Sequence, residues 1–188
     1  MKHIIIAGAS RSGKTTLALK LVKHGFIHYK MDSIKRGIDD NFHEKIDDWR
    51  EISPKMSHLI WRIIKDSETD QIKGKEFYVI DTCHVYPKDL YNKHLENTII
   101  IFLGYKDLDM NEKLEEMKKN DADNIWSKNQ SDEDNLYNLE LGIPYSESVY
   151  EECLKYGIKY FDTSENFDEV LNEAYHYLLK KCNLEPYL

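Results

Sequence analysis

Gly8-Ala9-Ser10-Arg11-Ser12-Gly13-Lys14-Thr15 meets every fixed position of the phosphate-binding pattern G-x-x-x-x-G-K-[ST]. Before it, His3-Ile4-Ile5-Ile6-Ala7 is a short apolar run rich in β-branched residues; after it, Lys14 to Lys23 carries helix formers at helical spacing. Strand, glycine loop and helix in that order is the setting the pattern requires. Gly8 and Gly13 let the backbone turn and approach a phosphate without a Cβ. The amides from Gly8 through Ala9, Ser10, Arg11, Ser12, Gly13, Lys14, Thr15 and Thr16 then line the phosphates at the positive end of the helix. Lys14 is the cation for the β- and γ-oxygens and Thr15 offers its hydroxyl to Mg2+, so the expected ligand is ATP with its metal.

At 188 residues with 41% hydrophobic content, the chain can bury the core of one domain. A net charge of −8 argues against nucleic-acid polymers and anionic membranes as partners. No apolar stretch approaches the ~18 residues of a membrane span. The chain runs into its first strand without a leader, and Cys83, Cys153 and Cys182 form neither a disulfide framework nor a metal pattern. The expected compartment is the cytoplasm, and the expected state a monomer or homodimer.

Strands and helices alternate along the chain. Gly25 reads as a helix C-cap, and Phe26 to Met31 as a half-exposed edge strand. Phe77-Tyr78-Val79-Ile80 and Thr98 to Leu103 are continuous apolar runs, as in strands covered on both faces of a parallel sheet. Ile158 to Phe161 is a second edge strand, followed by a helix carrying Phe167, Val170, Leu171, Ala174, Tyr175, Leu178 and Leu179 on one face. Two long segments interrupt the alternation. Residues 33–73 read as a helical insertion, with apolar positions from Phe42 through Ile46 and Trp49 to Ile64 and with Ser53-Pro54 as the start of its second helix. Residues 105–148, rich in Asp, Glu, Asn and Lys, read as a lid: helical from Asp107 to Asp123, then polar from Ser127 to Asn135.

The phosphate loop, Asp32 after the second strand, the helical insertion that follows and the strand ending Val79-Ile80-Asp81 together resemble the small-molecule P-loop kinases, the group of nucleoside monophosphate kinases and shikimate kinase. The resemblance implies a three-layer α/β P-loop NTPase fold: a five-stranded parallel sheet of order 2-3-1-4-5, helices on both faces, a substrate-binding insertion and a lid. It also implies a Mg-ATP-dependent transfer of the γ-phosphoryl group to a small nucleotide or metabolite.

The resemblance assigns roles residue by residue. An aspartate at Asp32 binds the acceptor hydroxyl or takes its proton, and Arg36 holds an acidic group of the acceptor. A carboxylate suits phosphoryl transfer, which needs the nucleophile oriented, and Asp32 is equally suited to capping the next helix. Asp81 ends an apolar strand as a magnesium-holding carboxylate does, with Thr82, Cys83 and His84 facing the crevice, and it is also a natural loop cap. The loop Asp162-Thr163-Ser164 corresponds to one that contacts the adenine base, and reads as well as a helix cap.

The chain has four arginines: Arg11, Arg36, Arg50 and Arg62. Guanidinium favours bidentate anion binding, which makes Arg36, Arg50 and Arg62 candidates for the acceptor's phosphate or carboxylate, with Trp49 and Trp61 as stacking surfaces. The competing reading has both tryptophans in the core and the arginines solvated. Adenylate-kinase-type lids carry arginines and this one has none, only lysines such as Lys113, Lys118, Lys119 and Lys128. Arg11 is therefore the candidate to supply charge to the transferring group in cis. GTPase motifs are missing: Asp81-Thr82-Cys83-His84 is not D-x-x-G, and Asn92-Lys93-His94-Leu95 lacks the final aspartate of N-K-x-D. From another class, a nucleotide sensor that closes on ATP without transfer remains the alternative, although a carboxylate in the acceptor crevice has no evident use there.

Overall fold

A computed structural model describes residues 1–42, 48–69, 73–120 and 130–185. Five parallel strands, β1 (His3–Gly8), β2 (Ile27–Lys30), β3 (Tyr78–Thr82), β4 (Thr98–Gly104) and β5 (Lys159–Asp162), form one sheet in the order β2-β3-β1-β4-β5. The order matches the expectation for a three-layer P-loop fold, and so does the distribution of apolar residues. All of β1 and β3 is buried, whereas β2 and β5 at the edges are half-exposed.

Alternation along the central strands divides the core. Ile5, Ala7, Ile80 and Phe102 face one layer, made by α3 (Trp49–Ser67) and α6 (Asp132–Tyr156) through Ile52, Met56, Ile60, Tyr145, Val149 and Cys153. Ile4, Ile6, Val79, Ile101 and Leu103 face the other, made by α1 (Lys14–Val22) and α7 (Phe167–Cys182) through Leu17, Leu21, Leu171, Ala174 and Leu178. Each fully buried side chain of this size contributes roughly 1.5–3 kcal/mol, so the sheet is fixed from both faces. Its carboxyl edge carries Gly8, Thr82 and Gly104, with the loops that leave them. That edge is where open α/β sheets bind ligands. Among the described residues no helix is long and apolar enough to cross a membrane.

Three boundaries depart from the sequence expectation. The second strand stops at Lys30 and α2 (Met31–Phe42) follows without a loop, so Asp32 lies in a first helical turn, where its charge suits the helix dipole. Helix α3 does not begin at Ser53-Pro54. Asp48 is its cap, with Oδ1 accepting from the amides of Arg50 at 2.7 Å and Glu51 at 3.3 Å, and Pro54 is carried inside the helix. Ser53 is fully buried and its hydroxyl is spent elsewhere, donating to Asp89 Oδ2 at 2.6 Å and accepting from the Tyr86 amide at 2.7 Å. Ile46, with positions 43–47 and 70–72 of that insertion, lies outside the described residues, as do Lys128 and positions 121–129 of the lid.

The third correction concerns the extent of the lid. Helix α5 (Met110–Asn120) occupies the first part of 105–148, but from Asp132 the chain is the 25-residue α6, started by a Ser131–Asp134 capping box. Tyr145 and Ser146, counted as lid, are buried in the body of the protein. The helix is polar in bulk, yet Leu139, Tyr145, Val149 and Cys153 recur on one face and decide its packing. A short helix α4 (Pro87–Tyr91) completes the layer.

Ser53→Ala strands a buried amide, whereas Asp48→Ala removes one exposed cap. Urea unfolding is expected to show a loss of about 1–3 kcal/mol for Ser53→Ala and about 1 kcal/mol for Asp48→Ala. Equal or reversed effects would return the helix start to Ser53.

Candidate functional site

The loop between β1 and α1 is set by two glycines. Gly8 has φ +129°, and a Cβ there would stand 1.8 Å from the Leu103 carbonyl oxygen. Gly13, at φ +89°, caps α1 in the left-handed region, and a Cβ would come 2.8–2.9 Å from the side chains of Leu171 and Phe167. The Ala9 amide donates to Leu103 O at 3.0 Å, the Ser12 hydroxyl to Ala9 O at 2.8 Å and Lys14 Nζ to Ala9 O at 2.5 Å. Lys14 is only 6% exposed, a buried ammonium bonded to a neutral carbonyl at the N-terminus of α1. That electrostatic setting favours an anion.

Directly after the loop, Thr15 Oγ1 donates to Asp81 Oδ2 at 2.5 Å. Asp81 is buried in β3; its Oδ1 makes no aligned hydrogen bond, although His28 Nε2 of β2 lies 3.1 Å away. A hydroxyl beside a buried carboxylate with one unsatisfied oxygen is a hard-oxygen donor pair, which fits Mg2+. Both residues of the expected metal pair are thus brought together, and His28 is a neighbour that the edge-strand pattern did not single out.

Asp32 lies within the electrostatic reach of Lys14. Its Oδ1 accepts from the Cys83 amide at 3.4 Å and meets Cys83 Sγ at 3.5 Å and His84 Nδ1 at 3.2 Å. Burial pushes this carboxyl up, but the His84 hydrogen bond and the charges of Lys14 and His84 outweigh it, holding Asp32 well below the usual carboxylate range. His84 is positioned by its amide bond to Thr82 Oγ1, 3.1 Å, and by the edge of Trp49, which also meets Tyr145 at a ring distance of 4.1 Å. Trp49 therefore belongs to the wall of the crevice.

The arginines disperse. Arg36 stays close, an exposed side chain whose Nε donates to the Asp32 carbonyl at 3.3 Å. Arg50 is engaged within the chain: it donates to Glu152 Oε1 at 2.7 Å and Ser148 Oγ at 2.6 Å, and lies 3.8 Å over the Tyr86 ring. It ties α3 to α6. Arg62 lies twelve residues, about 18 Å, further along α3 than Arg50, beside Trp61. Its end of the helix reaches the start of β1, where Ser67 contacts His3 Nε2 at 3.2 Å. Arg11, with φ +64°, lines a narrow cleft with Ser10, Met117, Asn135, Asn138 and Leu139 between the loop and helices α5 and α6.

The segment expected to contact the base forms a latch on the neighbouring turn. Thr163 is buried with its hydroxyl on Gly104 O at 3.0 Å; Asp162 Oδ1 accepts from Ser164 N at 3.0 Å and Oγ at 2.6 Å. Ser164 Oγ in turn accepts from the amides of Lys106 at 2.9 Å and Asp107 at 3.1 Å. These bonds hold the turn after β4, so the Asp162 and Thr163 side chains are committed to structure. Next to them a cavity of about 340 Å³ opens between α5 (Glu112, Lys113, Glu116) and Ser164 to Phe167. Lys113 is buried, bonded to Glu116 at 2.9 and 3.0 Å and 4.3 Å over the Phe167 ring, and burial lowers its pKa. Phe167, read from sequence only as a core position, shares this cavity because it opens α7 directly after the left-handed Asn166.

No protein-family model matches the chain, and no curated protein matches it significantly in sequence. Solved structures do. A shikimate kinase from Bacteroides thetaiotaomicron superposes with a TM-score of 0.53 at 15% identity, covering 97% of this chain and 99% of that one. A shikimate kinase from Acinetobacter baumannii in complex with shikimate gives 0.53 at 13% identity, covering 96% and 94%. A gluconokinase from Sinorhizobium meliloti 1021 gives 0.49 at 12% identity, covering 97% and 94%. At these identities the likeness is one of fold, and the fold is that of the small-molecule P-loop kinases.

Two outcomes follow from the geometry. Arg50→Ala is expected to cost about 0.5–1 kcal/mol in urea unfolding and Arg62→Ala nothing measurable, with neither altering small-molecule binding; loss of binding in either would reinstate it as an anion clamp. Because the folded-state pKa of Asp32 is depressed, its stabilisation is complete above the ordinary value of about 3.9 and is lost as the pH falls below it. The stability difference between wild type and Asp32→Asn should therefore shrink with acidification through that range, and a constant difference would contradict the assignment.

Proposed function

We propose that the protein is a Mg-ATP-dependent phosphotransferase that moves the γ-phosphoryl group to a hydroxyl of a small molecule. The observation that supports this best is the convergence, at one edge of the sheet, of a buried lysine in a glycine cradle, a Thr15–Asp81 donor pair and a charged Asp32 across from them.

In this reading the amides from Gly8 to Thr16 seat the phosphates, and Lys14 exchanges its bond to Ala9 O for the β/γ oxygens. Thr15 and Asp81 hold Mg2+, which when bound neutralises charge on the phosphate oxygens. Asp32 orients the acceptor hydroxyl by accepting its hydrogen bond. Its low proton affinity makes it an orienting group more than a base, which suits a loose phosphoryl-transfer transition state in which the nucleophile keeps its proton until late. His84 keeps Asp32 in register and, with Arg36, faces the acceptor, while Arg11 supplies further charge to the transferring group. The nucleotide base occupies the cavity between α5 and Phe167, with Ser164 at its rim and Asp162 and Thr163 holding the rim in place. The work is that of a cytosolic enzyme on a metabolite.

The test is ADP release with Mg-ATP across nucleosides, nucleoside monophosphates, sugar acids and shikimate. Acceptor-stimulated turnover is expected, reduced by about 10²–10³-fold in Lys14→Ala and Asp32→Asn; Asp81→Asn should raise the Mg2+ concentration needed for half-maximal rate. Tight ATP binding with no turnover on any acceptor would overturn the reading in favour of a nucleotide sensor.

A further inference from the structure

Cys83 has no part in the reaction above, yet its sulfur completes a cluster that the linear spacing of the cysteines hid. Asp32 from the start of α2 and the adjacent Cys83 and His84 after β3 bring one ligand atom each to a single point. Sγ to Oδ1 is 3.5 Å, Sγ to Nδ1 is 3.5 Å and Nδ1 to Oδ1 is 3.2 Å. Zinc bonds of about 2.3 Å to sulfur and about 2.0–2.1 Å to nitrogen or oxygen, at tetrahedral angles, place ligand atoms about 3.5 Å apart where sulfur is involved and about 3.3 Å between nitrogen and oxygen. The three distances match one face of a tetrahedron, but Sγ also lies 3.6 Å from His84 Nε2, beside the ring, so ligation requires the His84 ring to turn and aim Nδ1 at the shared point.

The surroundings support ligation. The Cys83 amide bonds to Asp32 Oδ1, the His84 amide bonds to Thr82 Oγ1, and Trp49 packs edge-on against the His84 ring. These contacts hold the ligands the way outer-sphere partners orient a metal site. All three residues are partly exposed, which leaves access from the crevice and a fourth position for water. The donor set of one sulfur, one imidazole nitrogen and one carboxylate oxygen suits a thiophilic cation, in contrast to the oxygen pair Thr15–Asp81. Lys14, whose charge acts on Asp32, opposes the cation and limits its affinity.

We propose that Asp32, Cys83 and His84 form a site for a zinc-type divalent cation, distinct from the magnesium pair, whose occupancy withdraws Asp32 from the acceptor and reversibly switches the enzyme off. The Cys83 sulfur exchanges its proton for the metal, the proton leaves to solvent, and no electrons are transferred. The inhibitory half rests on the phosphotransferase reading.

The protein, stripped with chelator, is titrated with Co2+ and then with Zn2+. Expected is one equivalent of Co2+ with a thiolate-to-cobalt charge-transfer band, displaced by Zn2+. The band should vanish in Cys83→Ser, affinity should fall at least 10-fold in His84→Gln, and Cys153→Ser should change neither. Absence of the band, or its survival in a folded Cys83→Ser protein, would overturn the site. In turnover assays with excess Mg-ATP, equimolar Zn2+ should abolish acceptor-stimulated activity, chelator should restore it, and Cys83→Ser should be insensitive. Stoichiometric binding without inhibition would overturn the switch and count against Asp32 as the acceptor residue, while leaving the metal site standing.

Discussion

Gly8 and Leu103 face each other across β1 and β4 so closely that no side chain fits between them. The rest of the site depends on that contact. With φ at +129° the chain leaves β1 sharply, and the Ala9 amide returns to the Leu103 carbonyl, pinning the loop to the sheet. Gly13 then opens α1 in the left-handed region, and the first residues of the helix bring Lys14 back over Ala9 O and Thr15 onto Asp81. Any residue other than glycine at position 8 would have to push β4 away from β1, opening the register on which these positions rest.

In an acidic chain of net charge −8, the carboxylates around the loop after β1 are compensated locally. Two carboxylates close to the proposed phosphate loop would repel an anion unless each were answered. Asp81 is answered by the Thr15 hydroxyl and by a neighbouring His28. Asp32 is answered by His84 and the Cys83 amide, and Lys14 acts on it from the loop. Net charge therefore says little about such a site, because at these distances in a half-buried crevice individual pairs outweigh the sum over the surface.

The sheet order, the phosphate loop and the Thr15–Asp81 pair were legible because each is carried by a local pattern: apolar runs of strand length, a spaced glycine motif, a carboxylate closing a strand. What was not legible depended on which of several suitable partners a polar group finds in three dimensions. Ser53-Pro54 looks like a helix start, but Asp48 precedes it with an equally good capping carboxylate, and the Ser53 hydroxyl goes to Asp89 and Tyr86. Asp162 to Ser164 look like ligand contacts or a cap and are a latch for the neighbouring turn. Arg50 looked suited to an anion because guanidinium is; Glu152, 102 residues away, supplies one from within the chain. The Asp32–Cys83–His84 cluster is non-local in the same way, since 51 residues separate its first two members.

These tertiary partners also set the character of the crevice wall beside Asp32 and His84. Tyr145 donates to the Val85 carbonyl at 2.7 Å, Ser53 joins Asp89 to the Tyr86 amide, and Arg50 stacks on Tyr86 while reaching α6. Trp49 and Tyr86 both pack edge-on against Tyr145. Each ring is thus held by a hydrogen-bonded or cationic neighbour, so the wall beside His84 is rigid and aromatic, with Arg50 turned away from it into the helix pair. On the proposed reading, recognition at such a wall would draw on shape and on hydrogen bonds to Asp32, since the Arg50 guanidinium is engaged by Glu152, Ser148 and Tyr86.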